Sequence, residues 1–170
     1  MATLHLGPCE VTFDSSTVIT CEGGVDVTIA DAAADLHTDA TGTGACDSVI
    51  TGANVSVKVN MADYDLDKFA KVFPCATQIG TGDTSRVEIR TAVGTSLLAL
   101  SKTLLIKKYV NGSVSASKKD WITVPKAFPS GEVAFSFKKD AQTVFPLSFK
   151  CFPDTSYSNR VLYFGDSTAS

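Results

Sequence analysis

Two histidines, five cysteines and two glycine-bearing stretches are the places in this sequence where residue type suggests chemistry. His5 and His37 have no Asp, Ser, Cys or second His at the spacing of a catalytic triad or metal site. No G-x-S-x-G, P-loop or H-E-x-x-H pattern occurs. Thr41-Gly-Thr-Gly44 resembles a phosphate cradle only superficially, because neither a lysine nor a helix start follows it. Asn54-Val-Ser56 and Asn111-Gly-Ser113 match the glycosylation acceptor, which means little with no secretory leader expected from the first eight residues. The net charge of -3 argues against a strongly basic nucleic-acid binder, and aromatics do not alternate with basic residues as a stacking platform would require. The expectation is a protein that is not an enzyme, with no catalytic residue, no metal and no cofactor.

Cys9, Cys21, Cys46, Cys75 and Cys151 are an odd number, and their spacing contains no C-x-x-C. Two readings stand: five small buried hydrophobes, or a bond between copies in an oxidising place. For the second, Cys46 is the favoured residue, with Cys9 or Cys75 as partner. Charge is divided as well. Residues 1–85 hold twelve acidic and three basic side chains, and residues 86–170 hold six and twelve. A chain acidic in one half and basic in the other suits head-to-tail association with its own copies, closing into a ring or extending as a filament.

The elements that position these residues read mainly as strands. The chain has 170 residues, 44% apolar and 19% charged, which fits one domain with its own core. No stretch approaches the roughly 18 apolar residues of a membrane span. Strands are expected at 9–13, 18–21, 25–29, 55–61, 86–91, 97–110, 121–124, 133–138, 143–152 and 161–164; over 97–110 the spacing of Leu97, Leu100 and Leu104 would also suit a helix, and Gly94, Asn111-Gly112 and the β-rich setting favour the strand. Between the third and fourth, the polar, Gly-rich run of 38–48 reads as a long loop. Leu66, Phe69, Ala70 and Phe73 at i, i+3, i+4 and i+7 predict one short amphipathic helix, with Asp63 and Asp65 at its start and Pro74 ending it. Leu66, Phe69 and Phe73 should be its buried residues. The total is about ten strands and one helix, an antiparallel two-sheet sandwich or open barrel with a flanking helix and a long hairpin loop.

Several segments, in order, resemble the bacteriophage tail tube (major tail) protein family. They are Gly7-Pro-Cys-Glu-Val-Thr-Phe13 with Glu22-Gly-Gly-Val-Asp-Val-Thr28; the strand, loop and strand from His37 through Cys46 to Val59; Met61-Ala-Asp-Tyr-Asp-Leu-Asp-Lys-Phe69; and Thr143-Val-Phe-Pro-Leu-Ser-Phe-Lys-Cys-Phe-Pro-Asp-Thr155 with Leu162-Tyr-Phe-Gly-Asp166. The resemblance covers nearly the whole chain; the five cysteines depart from it. It implies a structural virion protein, made in the bacterial host cytoplasm and located in the tail. Six copies would form a ring, and rings would stack into a hollow tube. The tube would enclose a tape-measure protein, meet terminator and baseplate or tip proteins and in some tails a sheath, and pass DNA without binding it specifically. A tube of a type VI or other contractile injection system is the nearest alternative, and a monomeric β-sandwich binding module a more distant one.

Two residue sets follow from the resemblance and the strand pattern together. If Val25, Val27, Ile29, Val55, Val57 and Val59 make the core, then Asp26, Thr28, Asn54, Ser56 and Lys58 face the bore, with Asp31 and Asp35 adding negative charge. Thr38, Asp39, Ala40, Thr41, Gly42, Thr43, Gly44, Ala45, Cys46 and Asp47 would make the loop that contacts the next ring.

Overall fold

The computed structural model describes residues 7–39, 42–91 and 93–166. His5, Ala40 and Thr41, named above, lie outside them. The chain is mainly β and antiparallel, in the order β1 (Cys9–Phe13), β2 (Thr17–Ile19), β3 (Cys21–Leu36), β4 (Asp47–Met61), α1 (Leu66–Val72), β5 (Ala76–Ile79), β6 (Arg86–Ile89), α2 (Leu97–Leu100), β7 (Lys102–Val110), β8 (Ser113–Val114), β9 (Trp121–Pro129), β10 (Phe145–Cys151) and β11 (Tyr163–Phe164).

One large sheet runs β2-β1-β7-β9-β10-β4-β3, with β8 paired to β7 and β11 to β9, while β5 and β6 form a separate hairpin. Its two end strands are consecutive in sequence, divided only by Thr20. β2 pairs with β1, and β3 with β4. The sheet therefore bends back on itself into an open barrel, and the chain passing through Thr20 is its seam. The Ala62 amide donates to the Thr20 carbonyl at 2.9 Å, carrying the β3–β4 ladder up to the corner.

Alternation decides what fills the barrel. Val55, Val57, Val59 and Met61 of β4 face Leu147, Phe149 and Phe145 of β10, Leu104 and Ile106 of β7, and Val11 and Phe13 of β1, all buried. The expected core face of β4 is thus correct. Helix α1 is also where the spacing put it. The Asp65 side chain accepts from the Asp67 amide as N-cap, and Phe69 and Val72 are buried. Leu66 and Phe73 are half-buried against the same core. Asp63 pairs with Lys68 instead of capping.

Burial alone would raise the Asp63 carboxyl, but hydrogen bonds with Lys68 and Thr20 outweigh it and hold the group below its ordinary 3.8. A carboxylate with a lowered folded pKa stabilises above its unfolded value and loses that contribution as pH falls through the folded one. Asp63→Asn is therefore expected to lower the melting temperature at neutral pH, with the gap to the parent shrinking as the pH drops below that value. A pH series of thermal melts checks this, and a gap independent of pH would contradict it.

Four expectations are corrected. The strand expected over 97–110 begins only at Lys102, because Leu97–Leu100 forms a helical turn that Ser96 caps through its hydroxyl. The strand expected to stop before Pro125 runs to Pro129. The register shifts between Lys102 and Leu104 leave Pro125 and Lys126 opposite Thr103. Proline is tolerated at such a bulge, which asks no ladder hydrogen bond of it. Residues 133–138 alternate but join no strand; only an isolated Lys138–Ala141 bridge forms, and Phe135 packs on Phe145 at 4.8 Å. The loop expected over 38–48 is shorter, since β4 already begins at Asp47. The β5–β6 hairpin was not foreseen.

Candidate assembly surface

β3 and β4 pair from Cys21↔Met61 to Leu36↔Asp47, a hairpin far longer than the barrel wall needs. Only its base belongs to the core. Every residue of β4 from Asp47 to Asn54 is exposed, as is most of β3 beyond Val27. The outer half projects from the body with side chains of both faces in solvent. Ile29, expected in the core with Val25 and Val27, is instead 52% exposed here, because the hairpin has left the barrel by that point; Leu36, Val49 and Ile50 are exposed too, the last 72%. Two irregularities shape it. Between Cys21 and Val25, the positive φ of Gly23 (77°) and Gly24 (89°) lets β3 absorb two extra residues, and a second shift falls between Ala32 and Ala33. The tip closes on itself. The Cys46 amide donates to the Leu36 carbonyl at 2.9 Å, its Sγ donates to the same oxygen at 3.1 Å, and His37 Nδ1 meets the Gly44 carbonyl at 3.2 Å. His37 thus serves the loop as a tie.

The residues expected to face a bore divide into two groups. Asp26 pairs with Lys58, Thr28 with Ser56, and Ala30 with Asn54, all on the face turned away from the buried valines. Asp26, Thr28, Asn54 and Lys58 are exposed and Ser56 half-buried. Asp31 pairs with Ala53 and Asp35 with Ser48. Alternation along β3 puts them on the opposite face, so the seven residues do not share one surface. No described strand pairs with the outer edge of β3.

Electrostatics set this hairpin apart. From Cys21 to Met61 it carries six acidic side chains and one basic one. The basic half of the chain lies mainly in the barrel wall and surface turns, partly committed. Lys107 pairs with Glu10 at 3.3 Å and lies 5.3 Å from the Trp121 ring, Lys102 pairs with Asp14, and Lys118 with Asp166. Glu88, between Arg86 and Arg90, is held below the usual carboxylate range by their hydrogen bonds.

The cysteines split by burial. Cys46 and Cys75 are exposed, Cys9 and Cys21 half-buried, and Cys151 buried. Burial pushes the Cys9 thiol up, and the Cys151 thiol to about 11. It takes Cys21 to about 12, helped by Cys9 and Asp63 nearby. Among the described residues no group of three or more His, Cys, Asp or Glu side chains is placed to hold a metal ion, and no helix is long and apolar enough to cross a membrane.

Sequence reasoning missed the arm between β9 and β10. With Glu22, Gly23 and Asn60 it walls an open cleft of about 710 Å³. Phe137 on this arm is 71% exposed and stacks edge-on against Phe135. Its sequence signal is the alternating apolar run of 133–138, whose Phe135 packs on Phe145 of β10 without pairing with it. No protein-family model matches the chain, and no curated protein matches it either.

Proposed function

We propose that the chain is a tube-forming structural subunit of a bacteriophage tail, with six copies in a ring and rings stacked through the β3–β4 hairpin. The observation that carries this reading is the hairpin itself. A long two-stranded projection, open on both faces and, beyond Ser56, along both edges, is marginal alone and gains its stability by docking. Its exposed Ile29, Leu36, Val49 and Ile50 supply apolar area. Its acidic excess finds a complement in the basic half of the chain. The free edge of β3 is open to a strand of the next copy in a ring. Asp26 and Thr28 would then line the bore, where negative charge keeps phosphate from adhering during DNA passage. Tape-measure, terminator, baseplate or tip proteins, and a sheath where the tail contracts, are the partners this role entails, and the virion tail is its place. Cys46 at the tip, with Cys75 also exposed, would be the residues available to bond neighbouring copies.

Assembly is the test. Purified protein, concentrated at moderate salt and viewed by negative-stain electron microscopy, should give rings or tubes. Sedimentation should show a hexamer or larger species that shrinks as ionic strength rises. A monomer at every concentration and salt level would end this reading.

A further inference from the structure

We propose that Cys9 and Cys21 form an intrachain disulfide across the barrel seam. The inference concerns the folded subunit alone and goes beyond the assembly reading without depending on it. The β1–β2 ladder fixes the geometry: Phe13 faces Thr17, Thr12 faces Val18, and Val11 faces Ile19. The ladder ends there, and its register continued by two steps on each side, through Thr20, would set Cys9 opposite Cys21, the first residue of β3. Each has the parity of Val11 and Ile19, whose side chains point into the barrel, and each packs against the core cluster. β1 and β3 keep Cα atoms within 8 Å of each other. Opposed residues on neighbouring antiparallel strands have Cα atoms about 4.5–5.5 Å apart. A disulfide requires about 4.4–6.8 Å.

The surroundings favour this pair over the other thiols. Cys151 is buried in the core, and Cys46 lies at the far tip of the hairpin. Cys9 opens onto a cleft of about 290 Å³ between β3 and strands β1, β7 and β9. A small reagent reaches it there, while the half-buried Cys21 Sγ donates to the Ile19 carbonyl at 3.3 Å. The oxidant is a low-molecular-weight disulfide. The Cys9 thiolate attacks one of its sulfurs, forming a mixed disulfide and expelling one thiolate, which takes up a proton. The Cys21 thiolate then attacks the Cys9 sulfur, breaks the mixed disulfide and expels the second thiol. Two electrons pass from the cysteine pair to the reagent, and the two cysteine protons end on the two released thiols.

The experiment uses the full-length Cys46→Ser/Cys75→Ser variant, in which both altered sites are exposed, with glutathione disulfide as the probe at mildly alkaline pH. Cleavage after Glu and Asp separates the two cysteines, since Glu10, Asp14 and Glu22 bracket them. The expected result, after denaturing alkylation, is one remaining thiol per chain, a linked Cys9–Cys21 peptide pair and a melting temperature above that of the reduced protein. Three remaining thiols would overturn the proposal. So would a glutathione adduct that does not resolve, or a link between chains.

Discussion

Removing residues 40–45 leaves a subunit that melts as the parent does and no longer builds long tubes. The expectation follows from where the hairpin's contacts are. The tip is tied by Cys46 and His37 to its own loop, and every described residue of the connection is exposed. Shortening the ten-residue connection between β3 and β4 to four changes its closure entropy by only roughly 0.8 kcal/mol. The folded barrel therefore has little to lose. A neighbour that the tip orders against would lose its contact entirely, so mean tube length should fall to single rings or short stacks in electron micrographs while circular dichroism melts stay superimposed. Full-length tubes from the deleted protein would show that stacking does not use the tip. A collapse in the melting temperature would show that the loop serves the fold.

Phe69→Ala should strongly destabilise the fold. Its ring stacks on Phe73 at 4.7 Å, meets Phe145 edge-on at 4.9 Å and Tyr64 at 5.2 Å, and is 5% exposed. Truncating a buried phenylalanine costs about 3–5 kcal/mol, from lost transfer energy and the cavity left behind. Denaturant titration should show that loss as a lower midpoint with an unchanged slope. A loss below about 1 kcal/mol would mean that α1 is peripheral to the cooperative unit.

The half of the fold that could be read in sequence is the half whose side chains alternate between water and core. Val55, Val57, Val59 and Met61 announced β4, and Leu66, Phe69 and Phe73 announced α1, because period and burial coincide there. The outer hairpin gave no such signal. From Asp47 to Asn54 both faces are wet, so there is no alternation to detect, and the strands look like loop. Pro125 misled for a local reason: its effect on pairing depends on the strand opposite, and only the bulge against Thr103 makes it harmless. Residues 133–138 show the reverse failure. Their pattern suits a strand, but strand pairing on the β9 side of β10 stops at Phe149, and Phe135 packs its ring on Phe145 instead of extending that ladder. The acidic set at 26–35 was legible in composition, while its division between two faces needed the register of β3 against β4.

The seam at Thr20 has a mechanical consequence. The strand that closes the barrel is the same chain that leaves it as one leg of the projecting hairpin, and the other leg, β4, is pinned to β10 from Phe145↔Met61 to Lys150↔Ser56. A pull on the tip runs along both legs, parallel to the strands and across their hydrogen bonds. Such a force loads the ladders in shear, so the bonds share it and do not open one at a time. Tension at the tip is thus delivered into the barrel's own closure, where β1 grips β2 and where Cys9 and Cys21 lie.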